Sequence, residues 1–401
     1  MRIFQTAIGA VNGRIRVRDF LKDKPLPGKI SLMAIGKAAC AMARGAQEAL
    51  DGRIADALVI TKKGYAESLP WPVWEAGHPL VDESSIEAGR RLLIFVERIP
   101  HDNQVLVLIS GGASALVEAL PPAISLEQFQ HINRWILASG LDINDYNRIR
   151  RRLSCLKGGR LARLLFPRNV LGLAISDVPG DELRAIGSGP LSLDPDLQQP
   201  LRISGLPDFI SEALRHMPPA PAPTDACFQK VKQIIIARLD DAKRAAVDAA
   251  KKLDYRAMSE TKFISGDVAE TGATLGRITL QNEPGTLHIW GGETTVRLPE
   301  APGRGGRNQS LALAAALMLQ GREKVWFLAA GTDGTDGATE DAGALVDGGT
   351  VARGEEAGLS AKLSLARADA GTFLEASGDL IQTGPTGTNV MDIMLGLKIN
   401  P

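Results

Sequence analysis

Residues 30–50 read ISLMAIGKAACAMARGAQEAL. Ile30 to Ile35 make a short apolar run of strand character, a Gly36-Lys37 turn follows, and Met42, Ala46 and Leu50 then recur at helical spacing. A strand that passes through glycine into a helix is the first half of a βαβ unit, and the stretch therefore predicts a parallel sheet covered by helices on both faces. The rhythm spreads outward from it. Further strands are predicted at 57–61, 73–76, 105–109 and 170–175, with helices at 84–97, 126–138 and 146–165. The last of these helices carries Ile149, Leu153, Leu156, Leu161 and Leu164 as its buried stripe. At 217–224 the chain reads MPPAPAPT, whose prolines forbid regular structure and make a semi-rigid connector. Beyond it the alternation restarts: strand 234–237, helix 240–253, strands 287–290 and 294–298, helix 307–319, strand 325–330. The reading is an α/β protein of two domains, 1–220 and 221–401.

Composition narrows the function classes. The 401 residues carry 46 basic and 46 acidic side chains, so the broad positive footprint of a nucleic-acid or anionic-membrane binder is missing. The longest clean apolar run, 311–319, is far too short to span a bilayer and suits an interior helix. Cys40, Cys155 and Cys227 are too far apart for a disulfide framework or a CxxC zinc site, which points to a reducing cytoplasm. Residues 1–18 are Arg-rich and acid-poor like an import segment, but lack its serines and lead straight into the domain. The partners expected are small molecules, not nucleic acid or membrane, and a homodimer is left open. Glycine is the outlier: 42 residues, about one in ten against an average near 7%.

Those glycines collect after predicted strands. Gly36-Lys37 follows the first; Ser110-Gly111-Gly112-Ala113-Ser114 follows 105–109; Ser176-Asp177-Val178-Pro179-Gly180-Asp181 follows 170–175. In the second half Gly291-Gly292-Glu293-Thr294, the loop from Gly331 through Asp333, Gly334 and Asp336, and the run Thr383 to Asn389 with Thr388 repeat the pattern. Ligands of open α/β sheets bind outside the carboxyl ends of the strands, so the clusters are expected to meet at a cleft. A Gly-Gly-x-Ser turn opening a helix offers bare N–H groups and hydroxyls to an anion, and phosphate is the natural guest. Lys37 supplies a point charge for that phosphate. Asp177 and Asp181 are suited to hold magnesium or to accept a hydroxyl proton, the alternative being an Asx turn; Asp333 and Asp336 carry the same two readings, and Glu293 is a further carboxylate. Seven cations lie between Arg148 and Arg163, where Lys157-Gly158-Gly159-Arg160 breaks the helix. Such a break lets backbone and cations approach an anion, although a solvated basic face is the plainer reading. Arg307, after Gly303-Arg304-Gly305-Gly306, opens a helix in the same manner. His78, in Gly77-His78-Pro79, suits a structural or substrate-bonding role. Walker A, GxGxxG and HRD patterns are all absent, and Ser114 lacks the partners of a catalytic triad.

Taken together, Gly36-Lys37-Ala38-Ala39, Gly77-His78-Pro79, Ser110 to Leu116, Lys157 to Ala162, Ser176 to Asp181, Gly291 to Val296, Gly303 to Gln309, Gly331 to Gly337 and Thr383 to Asn389 followed by Asp392 resemble the glycerate 2-kinase family, the class II glycerate kinases with a C-terminal MOFRL domain. The resemblance covers nearly the whole chain. It implies a Rossmann-like N-terminal domain, a mixed α/β MOFRL-type C-terminal domain and an active site in the cleft between. It also implies ATP- and Mg2+-dependent phosphorylation of D-glycerate at the 2-hydroxyl, with Lys37 and Arg307 catalytic or phosphate-binding. The expected site adds Asp177 as a catalytic group and Asp177 and Asp181 for metal. Gly36, Ser110, Gly111, Gly112, Ser114, Lys157, Gly334, Thr388 and Asn389 are expected for the nucleotide, and His78, Arg160, Glu293 and Asp333 for the substrate. The rival readings are a hydroxypyruvate reductase, which needs a dinucleotide site, and a non-catalytic nucleotide or sugar-acid binding module.

Overall fold

The computed structural model describes residues 1–400 other than 142, 202 and 204, and for 143 and 144 the backbone alone. The chain forms two compact units, one of Gly13–Ile236 and one that joins Met1–Asn12 to Ala237–Pro401.

The first unit is built on strands β1 (Ile30–Ile35), β2 (Ile54–Lys62), β3 (Val73–Ala76), β4 (Gln104–Ile109), β5 (Val170–Ile175) and β6 (Val231–Ala237), in the order β3-β2-β1-β4-β5-β6. β1 to β5 pair in parallel. β1 and β5 are buried along their whole length, as the unbroken apolar runs require for strands covered on both faces. Met33, Ile35, Val105, Val107 and Ile109 pack on one face with Leu92 and Val96 of helix Glu83–Arg98 and Leu161 and Leu165 of helix Arg160–Leu165. A separate helical core holds Phe129, Ile132, Ile136, Ile149, Leu153 and Ile210.

The second unit has β7 (Arg256–Ser259), β8 (Thr286–Gly292), β9 (Val325–Gly331), β10 (Gly343–Asp347), β11 (Leu380–Ile381) and β12 (Asp392–Lys398), ordered β11-β10-β9-β12-β8-β7. The sheet is mixed: β7 and β8 are parallel, while β12 runs antiparallel to both β8 and β9. Helix Arg307–Leu319 is buried on nearly all sides between sheet and neighbouring helices, which accounts for its unbroken run of Leu and Ala.

The structure differs from several expectations. The strand expected to open the second domain, 234–237, is the edge strand of the first sheet. The boundary expected at 220/221 accordingly differs from the division of the compact units. The proline segment is strapped to the first unit, since the carbonyls of Pro218 and Pro219 accept hydrogen bonds from Arg160 and Arg163. The helix expected over 146–165 is two, Ile143–Arg152 and Arg160–Leu165, broken where Gly158 and Gly159 take positive φ. No strand forms at 294–298, where Thr295 makes a single bridge to Asp267, because β8 already has β7 and β12 as its neighbours.

Candidate active site

Register decides which loops meet in the first unit. Ile35 at the end of β1 lies opposite Ile60 of β2 and Ile109 of β4, and Ile109 lies opposite Ala174 of β5. The segments after β1, β4 and β5 therefore leave the sheet at one level, and Ala76, the last residue of β3, pairs with Lys62 at the same edge. The first two loops are laced together. The Lys37 N–H donates to the Gly111 carbonyl (2.9 Å), the Ala38 N–H to Ser110 Oγ (3.0 Å) and the Ser110 N–H to the Ile35 carbonyl (3.0 Å). Gly36 has φ +132°, and a β-carbon on it would stand 2.2 Å from Ser110 Oγ, so only glycine permits the approach. A β-carbon on Gly112 would lie 3.1 Å from His78 Cδ2 and 3.4 Å from Lys37 Cγ. The structure thus brings Gly36, Lys37, His78, Ser110, Gly111 and Gly112 together around a glycine-lined backbone and one cation. Ser114 Oγ joins Ser188 Oγ (2.8 Å), which ties in the turn after β5. Asp177 and Asp181 are half-buried on that turn, Asp181 with φ +55°.

Two residues expected at the ligand are engaged by the protein itself. Lys157 is buried and its ammonium is committed to the fully buried Glu118 carboxylate. Burial pushes its pKa down, against the pull of Glu118. It shares a small cavity with Ile35, Ile109, Ala113 and Gly187. Arg160 is also buried, and its guanidinium donates to the carbonyls of Arg151 (3.2 Å), Lys157 (3.2 Å) and Pro218 (3.1 Å). The neighbouring cations are likewise engaged by the protein: Arg148 with Asp145, Arg151 with Asp194, Arg163 with Asp225. Within the basic run, Arg151, Arg160 and Arg163 thus tie its two helices to Asp194, Pro218 and Asp225.

In the second unit the antiparallel course of β12 places its first residue, Asp392, between the ends of β8 and β9, paired with Gly292 and Gly331. Asp392 is fully buried and receives the Arg307 fork, Nε to Oδ2 at 2.6 Å and a terminal nitrogen to Oδ1 at 3.0 Å. The other terminal nitrogen reaches Glu293 Oε1 at 2.7 Å. Burial works against the guanidinium's charge, but Asp392, Glu293 and Asp336 outweigh it and raise its pKa above the ordinary arginine value. About a third of the Arg307 side chain (35%) stays open to solvent, so the fork is fixed by carboxylates yet accessible. Asp333 is buried and accepts from the Thr335 N–H (3.1 Å), the geometry of an Asx turn. The loops after β9 and before β12 are latched by Thr332, which donates to the Met391 carbonyl (2.6 Å) and accepts from the Val390 N–H (2.8 Å). Gly334 lies against the Gly384 carbonyl. Asn389 is buried and Thr388 is buried with its hydroxyl unpartnered among the described residues, as is that of Thr294 after β8. Orphaned buried hydroxyls of this kind mark a place where a bound group completes the hydrogen bonding. Sequence reasoning assigned no role to Asp392, Glu118 or Ser188. The signal for Asp392 was a carboxylate opening the apolar run 392–398, which is legible only once that run is taken as an antiparallel strand.

Known proteins are similar to this chain over most of its length. Residues 1–204 match the model of a domain of unknown function (DUF4147), and residues 286–392 match that of the MOFRL family. A D-glycerate 2-kinase of Thermotoga maritima is 37% identical over 92% of this chain and 91% of its own. An Agrobacterium vitis protein provisionally named a hydroxypyruvate reductase is 34% identical over 98% of this chain and 92% of its own. The crystal structure of glycerate kinase from Thermotoga maritima superposes with a TM-score of 0.84 at 35% identity, covering 99% of this chain and 98% of that one.

Proposed function

The chain belongs to the glycerate 2-kinase family, and from that premise we propose that it transfers the γ-phosphoryl group of ATP to the 2-hydroxyl of D-glycerate, giving 2-phosphoglycerate and ADP. The observation that carries the reading is the meeting of Lys37, His78 and the Ser110–Gly112 backbone at the carboxyl ends of parallel strands, with no pattern for a dinucleotide in either Gly-rich loop.

In this reaction the glycerate O2 attacks the γ-phosphorus, the bond to the β,γ-bridging oxygen breaks, and the hydroxyl proton passes to a carboxylate. Little covalent work is asked of the protein, and positioning and charge stabilisation dominate. Lys37 and the N–H groups of Gly111 and Gly112 are assigned to the transferring phosphoryl oxygens, His78 to a hydrogen bond on the substrate. Arg307 takes the glycerate carboxylate or a phosphate with the face its two carboxylates leave open. Gly334, Thr388 and Asn389 are assigned to the nucleotide, and Glu293 and Asp333 to the substrate.

Among the described residues no group of three or more His, Cys, Asp or Glu side chains is arranged for a metal. Mg2+ keeps several waters and phosphate oxygens and needs only one or two carboxylates, and Asp177 and Asp181 fit that requirement in donor type and position after β5. When bound there, Mg2+ would neutralise charge developing on the phosphates. The carboxylate of the pair that does not bind it is the proton acceptor. Among the described residues no helix is long and apolar enough to cross a membrane; Cys40, Cys155 and Cys227 are free thiols, which supports a cytoplasmic setting.

The test is Lys37→Ala. D-glycerate-dependent ADP release should fall by roughly 10²–10³-fold, as when a preorganised charge donor is lost, while the melting temperature stays unchanged. Full activity in that variant contradicts the assignment.

A further inference from the structure

Helix Arg307–Leu319 carries no cap of its own. Its N-cap position is Gly306, which has no side chain to accept the free N–H groups of the first turn. Those groups are met from elsewhere in the sequence. Asp336, on the loop after β9 and 2% exposed, accepts from the Asn308 N–H through Oδ1 (3.1 Å) and from the Gln309 N–H through Oδ2 (2.8 Å). These are the second and third residues of the helix, the two that an N-cap side chain ordinarily serves. A local cap is also sterically barred. A β-carbon on Gly306 would stand 2.2 Å from Asp336 Cγ and 2.5 Å from its backbone carbonyl carbon. The Asp336 carboxylate occupies the place of the missing cap, and the first residue of the helix it holds is Arg307.

We propose that Asp336 is a positioning residue for phosphoryl transfer: it caps helix Arg307–Leu319 from a separate loop and thereby fixes where the Arg307 guanidinium stands. The proposal rests on the assignment of Arg307 to substrate or phosphate given above. Among the described residues the guanidinium's fork is taken by Asp392 and Glu293, and Asp336 makes its hydrogen bonds to the helix backbone instead. The Asp336 charge also supports that of the guanidinium, but position is set through the helix, where its hydrogen bonds go. The helix start sets the Arg307 backbone and Asp392 sets the tip of its side chain, so both ends are held. Burial raises the Asp336 pKa against the two amide bonds that lower it, so the carboxylate is kept in place at a cost that an ordinary surface cap does not bear.

The experiment compares Asp336→Ala and Asp336→Asn with the wild type and Arg307→Lys. Steady-state kinetics are run with D-glycerate and ATP. The Arg307 Nε–H resonance is followed by nitrogen-edited NMR and assigned by its loss in Arg307→Lys. In Asp336→Ala, kcat should fall roughly 10–100-fold, the loss expected when a charged group is displaced by about an ångström, with KM little changed and the Arg307 resonance moved toward that of a free guanidinium. Asp336→Asn keeps the shape and one acceptor and should fall in between; it carries the test if the alanine variant does not fold. A variant that only melts earlier, with kcat and the Arg307 resonance unchanged, overturns the proposal. Should the wild type prove inactive on every sugar acid, the functional reading fails but the resonance still decides: moved, it supports the positioning role, and unmoved, it refutes it.

Discussion

Glu118→Gln removes one charge from the first unit and almost no volume. Lys157 and Glu118 are both buried, so the variant leaves an ammonium without its counter-charge inside the protein. Breaking a buried pair in this way costs about 3–5 kcal/mol. Lysine has an escape, which is to shed its proton. At neutral pH that costs about 5 kcal/mol, at about 1.36 kcal/mol for each unit below its ordinary value of 10.5. Near pH 9 the same step costs only about 2 kcal/mol. Two consequences follow for the variant. The deficit is about 3–5 kcal/mol at pH 7, or roughly 6–20 °C in melting temperature for a unit of this size. It shrinks as the pH is raised, because a lysine whose folded pKa is depressed gains stability from the folded value up to its ordinary one. Chemical and thermal unfolding at pH 7 and 9, followed by circular dichroism, measure both. The double variant Glu118→Leu with Lys157→Met controls for packing and should stand close to the wild type, since apolar replacement of a buried pair is often neutral or stabilising. A deficit under about 1 kcal/mol, the value of an exposed pair, or one that does not change with pH, refutes the reasoning.

Three further outcomes are expected. Asp82 caps helix Glu83–Arg98 through the Ser85 N–H (3.1 Å), and Asp82→Ala should cost about 1 kcal/mol in unfolding experiments. Burial is the largest single influence on its pKa and raises it, but Ser84, Lys63 and the Ser85 amide together bring it down to about 2, so this stabilisation is present above 3.8 and is lost as the pH falls toward 2. Asp336 shows the opposite sign: burial, reinforced by Asp392, pushes it up to about 7 against the bonds from Gln309 and Asn308 and the charge of Arg307, so the wild type loses stability as the pH rises from 3.8 to about 7, a fall that Asp336→Asn should remove from the melting temperature plotted against pH. Arg307→Lys keeps the charge but cannot span both Asp392 oxygens and Glu293; its turnover should drop by about 10²-fold or more, measured by ADP release, with little change in melting temperature.

The parallel sheet was legible in residues 30–50 because strand, glycine turn and helix succeed one another there without interruption. So was the interior helix at 307–319, from the clean apolar run 311–319 that makes up most of it. What sequence could not show was which strand pairs with which. β12 follows a loop rich in Gly and Thr and carries a glycine of its own, and its role depends on running antiparallel between β8 and β9. Without that register Asp392 is one more aspartate; with it, Asp392 is the anchor of Arg307. The arginine-rich stretch misleads for a related reason. Charge is visible in sequence but its partners are not, and Asp194, Asp225 and Glu118 come from distant segments to neutralise cations that look available. Lys37 and His78 were selected for standing beside turns at strand ends; register brings Lys37 to Gly112 because β1 and β4 are neighbours that end together, whereas His78 reaches it from β3, beyond β2 and β1, by the course of its own loop.

The central claim is tested most directly by ADP release across a panel of small sugar acids, with the product's phosphate position read by phosphorus NMR. ADP formed in step with D-glycerate consumption, and a phosphomonoester on the C2 oxygen, is the predicted result. No ADP with any acceptor, accompanied by NADH consumption on hydroxypyruvate, contradicts the account; a phosphate placed on the C3 oxygen contradicts the position assigned to transfer.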